Sequence, residues 1–401
     1  MILLRISLFF LILLLLPDWY IYRFYVKYSA KRWKKVLWWM PSICLLLALL
    51  FFVCFHHSMQ HAFSVYLITA LCLAVPKMVF MVCDLLIYLC KKLMRCFIKA
   101  PAPLSFIRLY KFTRSSVPLL VAIVTCIYIL FGAIFGKEFF EVKEVTFSSP
   151  ELPEAFDGYR ILQLSDIHSG SWNDGGEALR RAMTLCNGQH PDLIVFTGDL
   201  VNSLADEIKP YMSVFSQLKA KDGVYSVLGN HDYATYVHWD SESKRLANVD
   251  TLIAREKQMG WDMLMNEHRI LRRGNDSIAL IGVENSGNPP FPNRGDLPKA
   301  LRGTEGMFKV LLSHDPTHWR REVLPQTDIQ LMLAGHTHDM QVSLFGFSFS
   351  KFIYPEHSGM YIDKGRGLYV NVGLGFVMFP MRLGAWPEIT VITLKKTKAY
   401  N

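Results

Sequence analysis

The chain has 401 residues, of which 51% are hydrophobic, and its formal charge of +9 is unevenly distributed. The first 140 residues contain 16 Lys or Arg and only 3 Asp or Glu, whereas acidic residues are in excess in the remainder. This distribution excludes a nucleic-acid groove on the later, less hydrophobic part, because such a groove needs its basic residues on the folded domain.

Four apolar stretches in the first 140 residues each approach the roughly 20 residues that cross a bilayer. We predict transmembrane helices at Ile6–Leu16 with the aromatic residues that follow it, Val36–Phe55, Ala62–Cys83 and Val117–Gly136. No small-residue cleavage site follows the first stretch, so it is interpreted as an uncleaved anchor. The third stretch is weaker, because Pro76 and Lys77 interrupt it. The sequence therefore predicts a membrane region of about four helices over 1–140 and a separate domain over 141–401.

The connecting segments predict the orientation of these helices. Lys and Arg are concentrated in 23–35 and in 91–114, while 56–61 contains neither. The positive-inside rule then places both basic loops in the cytoplasm. With four spans, the protein is a multi-pass cell-membrane protein whose C-terminal domain lies on the extracytoplasmic side. Without the third span, this orientation would reverse.

Two charged residues fall within or beside the third predicted span. Lys77 and Asp84 are seven positions apart, about two helical turns, and so share a helix face. They could pair with each other inside a helical bundle. Alternatively, each could reach toward an opposite end of the helix or a water-lined gap. The sequence leaves both interpretations open.

From Glu141 onward, predicted strands and helices alternate. The helices are predicted at Glu177–Cys186 and Lys209–Lys219. The strands are predicted at Arg160–Leu164, Asp192–Thr197, Val224–Leu228, Phe308–Leu312 and Ile329–Leu333. Asp, Asn or His lies at or just beyond the end of each strand. Because ligands bind outside the carboxyl ends of strands in α/β sheets, we expect these polar side chains to meet at one edge.

The residues at these strand ends are typical metal ligands. They are Asp166, His168, Asp199, Asn230, His231, His314, His336 and His338. Oxygen and imidazole donors without any thiolate suit Mn, Fe or Zn in a reactive site and argue against a structural zinc site. Glycines precede Asp199, Asn230 and His336, where they allow the backbone to turn sharply.

These blocks, in this order, resemble the calcineurin-like metallophosphoesterase family over about 157–392. The membrane anchor, Phe156-Asp157-Gly158 and Pro387-Glu388-Ile389 resemble its membrane-anchored bacterial branch. The resemblance implies N-terminal transmembrane helices followed by a four-layer α/β/β/α sandwich at 141–401. It also implies a phosphoesterase with two divalent metal ions, Mn, Fe or Zn, that hydrolyses phosphate mono- or diesters with a hydroxide bridging the ions.

The resemblance further assigns a role to each matched residue. Asp166, His168 and His338 are expected to bind the first metal ion, and Asn230, His314 and His336 the second. Asp199 is expected to bridge the two ions, and His231 to protonate the leaving group.

One position departs from the family pattern. The family often has an acidic residue three positions after the bridging Asp, where it can orient the acid histidine, and Asn202 stands there in this chain. Either Asp232 or another acid takes that role, or His231 acts mainly as a phosphate contact. Asp232 and Asp315 are interpreted as supporting groups outside the ligand set.

Two arginines are kept outside the predicted site. Arg366 and Arg382 could contact a substrate phosphate, but an exposed arginine is more often solvated. Neither is therefore included among the candidate site residues.

The segment Leu344–Tyr354 alternates aromatic residues with Ser and carries Lys351. It could enter lipid or line an acyl pocket. We interpret it instead as a strand whose Phe residues fill the sandwich.

The expected partners are the membrane and a phosphoester substrate, with a lipid-linked phosphate as one candidate. An alternative is a UDP-2,3-diacylglucosamine-type pyrophosphatase of lipid A synthesis, whose cytoplasmic substrate conflicts with the predicted orientation. A second alternative is a non-catalytic membrane scaffold on the same fold. Binding-only members of the family typically lack some ligand histidines, and this sequence retains all of them.

Overall fold

The computed structural model describes residues 2–28, 31–55, 60–97, 103–172 and 175–398. The chain separates into two compact units. The first consists of Met1–Ile134 with Met378–Met381, and the second of Phe135–Val377 with Arg382–Asn401.

The first unit is helical. Its helices are α1 (Ile2–Ile21), α2 (Arg32–Phe55), α3 (Gln60–Phe97) and α4 (Leu104–Ile134), and a π-helical turn, Tyr22–Val26, follows α1. Within the described residues, Arg32–Phe52, Ala62–Phe97 and Ile107–Glu138 are long and apolar enough to cross a membrane. The side chains of the first ten residues lie outside the described part. Helix α3 runs without a break through Pro76 and Lys77, which the sequence indicated as an interruption.

The charged residues of this unit pair between helices. Lys77 Nζ lies 2.6 Å from Asp18 Oδ1, and Asp84 accepts hydrogen bonds from Arg114 Nε at 2.7 Å and from the hydroxyls of Tyr20 and Tyr25. Of the two interpretations left open by the sequence, the pairing of Lys77 with Asp84 is wrong, because each has a partner on another helix. Asp18 and Asp84 are fully buried, where an ionised carboxylate requires such partners.

In the residues that the structure describes, the second unit contains twelve strands. In chain order they are β1 (Glu141–Ser149), β2 (Arg160–Leu164), β3 (Leu193–Phe196), β4 (Val224–Ser226), β5 (Trp261–Met263), β6 (Glu267–Arg273), β7 (Asp276–Gly282), β8 (Phe308–Leu312), β9 (Leu331–Ala334), β10 (Gly359–Asp363), β11 (Arg366–Val370) and β12 (Glu388–Lys396). They form two six-stranded sheets, in the orders β1-β12-β2-β3-β4-β5 and β10-β11-β9-β8-β7-β6. Strands β2 to β5 are mutually parallel, as are β7, β8, β9 and β11, so their carboxyl ends share an edge within each sheet.

Five α-helices lie within the described part of the second unit. They are α5 (Glu177–Gly188), α6 (Met212–Phe215), α7 (Glu242–Gln258), α8 (Leu297–Leu301) and α9 (Leu324–Gln326). Strand alternation builds the layers: Leu193 and Val195 of β3 pack toward the second sheet, while Ile194 and Phe196 pack against α5, α6 and α7. The outer face of the second sheet packs against α8 and Trp319. The predicted four-layer α/β/β/α sandwich is confirmed.

Local predictions succeeded where the apolar run was continuous. Strands Arg160–Leu164 and Phe308–Leu312 have the predicted bounds. The helix predicted at Lys209–Lys219 is wrong, because a 3-10 helix, Ala205–Tyr211, and the single turn of α6 occupy most of this region. Pro210 lies inside the 3-10 helix, and its missing N–H disfavours a longer α-helix there.

Candidate metal centre

The predicted ligands lie on loops that leave the ends of five strands. Asp166 and His168 follow β2, Asp199 follows β3, Asn230 follows β4, His314 follows β8, and His336 and His338 follow β9. Asp166, His168, Asp199, His336 and His338 all adopt left-handed backbone conformations, with φ between 49° and 73°. Such strain at non-glycine residues persists only where the surrounding structure enforces it, and it is concentrated at functional sites.

Two glycines permit the close approach of these loops. A Cβ atom at Gly229 would collide with the carboxylate of Asp199, and one at Gly335 would collide with Ser165 and the carboxylate of Asp166. No side chain can replace hydrogen at these positions without moving a predicted ligand.

The first group of predicted ligands comprises Asp166, His168 and His338. His168 Nε2 and His338 Nε2 lie 3.0 Å apart, and His338 Nε2 lies 3.2 Å from Asp166 Oδ1. All three side chains are buried. Their ligand atoms lie within 4.8 Å of one another.

The second group comprises Asp199, Asn230, His314 and His336. His314 Nε2 lies 3.1 Å from Asn230 Oδ1, 3.2 Å from Asp199 Oδ2 and 3.3 Å from His336 Nδ1. Asp199 Oδ2 also lies 3.8 Å from His168 Nε2. The carboxylate of Asp199 therefore stands between the two groups.

The hydrogen-bond partners of the histidines show which ring nitrogen faces the centre. His168 Nδ1 donates to Asn202 Oδ1 at 3.0 Å, and His314 Nδ1 donates to the carbonyl of Thr197 at 2.7 Å. Each neutral ring therefore directs the lone pair of its Nε2 at the centre, where the other groups are also acceptors. The missing component is positive charge, so the donor set fits divalent cations.

The pKa shifts support this conclusion. Burial favours the neutral form of Asp199, yet His314 and His231 hold its pKa well below its ordinary value. Burial opposes the charge on His314, but Asp199 and Asp166 raise its pKa to about 10. The two carboxylates thus draw a proton onto His314 when nothing else supplies the charge. Burial lowers the pKa of His168, which favours the neutral imidazole that binds metals.

His338 differs from the other histidines in its partner. Its Nδ1 faces Arg382 Nη2 at 3.0 Å, and a guanidinium can only donate. Arg382 is fully buried and also donates to the carbonyls of Val372, Gly375 and Ala385. Interpreting Arg382 as a solvated residue is therefore wrong, and it positions His338.

Two family models match the sequence. The model described as a probable calcineurin-like phosphoesterase, transmembrane domain, matches residues 4–137, and the calcineurin-like phosphoesterase model matches 159–340. An uncharacterized metallophosphoesterase of Bacillus subtilis (strain 168), YkuE, is 33% identical over 271 residues, which cover 64% of this chain and 86% of that protein. The chain belongs to the calcineurin-like phosphoesterase family.

Vertebrate relatives are similar to the same extent. A transmembrane protein with metallophosphoesterase domain from Danio rerio is 32% identical over 287 residues, covering 69% of this chain and 62% of that protein. Its counterpart from Bos taurus is 30% identical over 290 residues, with the same coverage. This chain therefore spans less than two thirds of the length of these two relatives. The matched transmembrane domain and the apolar helices show that this phosphoesterase is associated with a membrane.

The structure explains the departure at Asn202 in this calcineurin-like phosphoesterase. His231 Nδ1 donates to the backbone carbonyl of Asn202 at 2.8 Å, and the Asn202 side chain accepts from His168 instead. A main-chain oxygen therefore orients His231, and no acidic side chain is required there. Asp232 does not take that role, because it accepts N–H groups from Asp199, Leu200, Val201 and Gly229.

Two tyrosines at the centre were missed by the sequence analysis. Tyr354 OH lies 2.9 Å from His336 Nε2, and Asn230 Nδ2 donates to Tyr236 OH at 2.7 Å, which turns Asn230 Oδ1 toward His314. Tyr236 also packs on the ring of His231, with 4.3 Å between ring centroids. Tyr236 lies five positions after His231, which is a weak signal, and Tyr354 is not part of any motif.

Proposed function

We propose that this phosphoesterase hydrolyses phosphate mono- or diesters with two divalent metal ions, Mn, Fe or Zn. Asp166, His168 and His338 would hold one ion, Asn230, His314 and His336 the other, and Asp199 would contact both. The observation that carries the proposal is the position of Asp199 Oδ2, 3.2 Å from His314 Nε2 and 3.8 Å from His168 Nε2. A carboxylate placed between two clusters of oxygen and imidazole donors suits a pair of metal ions.

Bound ions would neutralise the phosphate and activate water for attack on phosphorus. The protein residues fix where this happens. Asp199 is held by Asp232, which accepts its N–H at 2.8 Å, and Asp199 Oδ1 in turn accepts the N–H of His231 at 2.8 Å. These hydrogen bonds therefore fix the Asp199 carboxylate relative to the backbone of the candidate acid, His231.

His231 is placed to donate a proton. Its Nδ1 is occupied by the carbonyl of Asn202, which leaves Nε2 as the atom available to a leaving group. The ring is partly exposed, unlike the buried ligand histidines, and its edge contacts His168 with 4.8 Å between ring centroids. We infer that His231 protonates the departing oxygen.

The localisation and the substrate class extend this proposal. The concentration of basic residues in 23–35 and 91–114 supports an extracytoplasmic phosphoesterase domain in a multi-pass membrane protein. An enzyme held at a bilayer meets lipid-linked phosphates at high local concentration, and we propose these as substrates. A protease-accessible tag at the C-terminus of the full chain, digested in intact and in lysed cells, tests the orientation. Digestion in lysed cells alone would contradict it.

The activity is tested on the full chain purified in detergent. Metal content is measured, and hydrolysis of p-nitrophenyl phosphate and bis-p-nitrophenyl phosphate is assayed after chelation and after addition of Mn, Fe or Zn. We expect bound metal and metal-dependent turnover. A folded protein that binds no metal and hydrolyses neither compound would instead be the membrane scaffold.

A further inference from the structure

The segment Leu344–Ile353, here called the aromatic loop, exposes an unusual amount of apolar surface. The side chain of Phe345 is completely exposed, and Phe349, Phe352 and Ile353 are 66%, 72% and 60% exposed. The strand proposed for this segment from its sequence is therefore wrong, since these residues do not fill the sandwich. The loop instead contains a tight turn and a 3-10 helix, Phe349–Phe352.

The structure holds these side chains outward. Leu344 and Phe347 exchange backbone hydrogen bonds of 2.8 and 2.9 Å, and Phe345 lies at the tip with φ of 54°. A left-handed backbone conformation is unfavourable for Phe, so the turn holds Phe345 against its local preference. Behind the tip, the ring of Phe347 packs against Phe349 and Phe352, with 5.4 and 6.1 Å between centroids. The loop is thus an ordered apolar platform.

One cation accompanies the aromatic residues. Lys351 Nζ lies 4.0 Å from the ring centroid of Phe347 and 5.4 Å from that of Phe352. Aromatic rings with a lysine among them are typical of segments at a membrane interface, where the rings enter the acyl region and the ammonium group meets lipid phosphates.

The aromatic loop leads directly into the candidate metal centre. Tyr354 follows the loop, donates its N–H to the carbonyl of Ser350 at 2.8 Å, and places its hydroxyl 2.9 Å from His336 Nε2. In the middle of the loop, Ser348 Oγ donates to the carbonyl of Asp339, the residue after His338. The loop is therefore held at two points beside residues that adjoin the predicted ligands.

We propose that the aromatic loop inserts into a lipid bilayer and presents the phosphate of a membrane lipid to the metal centre. Two features of the chain indicate that the aromatic loop contacts a lipid bilayer. Only six residues separate α4 from β1, and such a segment reaches about 20 Å at most, so the second unit stays near the bilayer. An apolar platform carrying Lys351 complements anionic lipid headgroups above acyl chains. This inference rests on the phosphoesterase activity proposed above for the substrate, but the insertion itself does not.

Photocrosslinking tests the insertion. Phe345 is replaced by photoreactive benzoylphenylalanine in the full chain, which is reconstituted in nanodiscs of phosphatidylcholine and phosphatidic acid. The matched control carries the same group at Leu185, an exposed residue of α5. We expect lipid adducts by mass spectrometry at position 345 and far fewer at 185. Absence of adducts, equal adducts at both positions, or crosslinks to a second copy would overturn the insertion.

Kinetics test the presentation of lipid phosphate. The triple variant Phe345→Ser/Phe349→Ser/Phe352→Ser alters exposed side chains only and is compared with Leu185→Ser. We expect kcat/KM for phosphatidic acid in nanodiscs to fall at least about tenfold, since each exposed ring contributes on that order to lipid contact. Turnover of p-nitrophenyl phosphate should stay unchanged. An equal loss on both substrates, or no loss on the lipid, would contradict the presentation of lipid.

The two proposals fail in different ways. Lipid adducts without hydrolysis of any phosphoester would remove the proposed activity and leave the insertion. Hydrolysis of p-nitrophenyl phosphate without lipid adducts would remove the insertion and leave the activity.

Discussion

The first, helical unit (here called the membrane unit) and the candidate metal centre of the second unit (here called the phosphoesterase unit) both bury carboxylates, but these carboxylates have different partners. In the membrane unit, Asp84 accepts from Arg114 at 2.7 Å and from two tyrosine hydroxyls, and Asp18 pairs with Lys77 at 2.6 Å. In the phosphoesterase unit, Asp166 and Asp199 face imidazole rings and an amide oxygen, and neither is paired with a Lys or Arg in the described residues.

This difference distinguishes buried carboxylates that stabilise the fold from buried carboxylates that are expected to bind a ligand. A carboxylate in a low-dielectric environment must be matched by positive charge. The membrane unit supplies that charge from its own chain, which joins helices. The candidate metal centre instead surrounds its carboxylates with imidazole and amide groups, so apart from the proton drawn onto His314 its positive charge is expected to come from bound cations. Substitutions on either side of this distinction should therefore have different effects on metal binding, hydrolysis and stability.

The variant Asp199→Asn should abolish metal binding at the candidate metal centre with little effect on folding. The amide oxygen can still accept the N–H of His231, but the shared negative charge is gone. We expect loss of bound metal and a decrease in kcat on bis-p-nitrophenyl phosphate of about 10³-fold, corresponding to several kcal/mol of transition-state stabilisation. Metal analysis and steady-state kinetics measure both effects, and Asp250→Asn on the exposed face of α7 is the control. Full metal occupancy in Asp199→Asn would contradict the bridging role.

The variant His231→Gln should separate proton donation from metal binding. We expect unchanged metal content and a decrease in kcat of roughly 10²-fold for an alkyl phosphate, the usual contribution of a general acid. The decrease should be much smaller for p-nitrophenyl phosphate, because p-nitrophenolate leaves without protonation. Loss of metal in this variant would place His231 among the ligands.

The variant Asp84→Asn should destabilise the membrane unit, in which Asp84 pairs with Arg114, without affecting hydrolysis. It leaves Arg114 without its counter-charge, which is expected to cost about 3 kcal/mol of unfolding free energy. Thermal unfolding in detergent measures this, and the double variant Asp84→Asn/Arg114→Gln should recover part of the loss. Hydrolysis of p-nitrophenyl phosphate by the folded fraction should be unchanged. If a stable Asp84→Asn protein lost hydrolysis, the pair of Asp84 and Arg114 would have a role in the reaction. The distinction between structural and ligand-binding carboxylates would then be wrong.

His318 is a buried residue of the phosphoesterase unit whose hydrogen-bond partners all come from the protein. Its protonation should have the smallest effect, a decrease in stability at low pH. Its Nδ1 lies 2.9 Å from Ser313 Oγ and its Nε2 3.2 Å from Glu322 Oε2, while burial lowers its pKa to about 4. Because the unfolded chain takes up this proton near pH 6.5 and the folded protein does not, stability should fall as the pH drops from 6.5 toward 4. The loss should reach about 2 to 3 kcal/mol. In chemical denaturation, His318→Gln should show a correspondingly weaker decline over that range, and an identical decline would contradict this assignment.

Much of the fold could be predicted because its signals are local. Continuous runs of Val, Ile and Leu gave the buried strands, and the polar residue after each run gave the residues that meet at the sheet edge. The sequence of apolar stretches likewise predicted a membrane region. The helix at Lys209–Lys219 was predicted wrongly because the helical pattern does not register the effect of Pro210 on its neighbours.

The types of donor at the centre, and their order along the chain, could be read from the residues alone. Their partners depend on the folded structure: Lys77 pairs with Asp18, His231 with the carbonyl of Asn202 and Arg382 with His338, and Phe345 is directed outward. The physical reason is that periodicity reports one element's buried face, whereas a hydrogen bond or ion pair depends on atoms brought together from distant positions. Every residue has a backbone carbonyl, so a hydrogen bond to one cannot be predicted from the residue type.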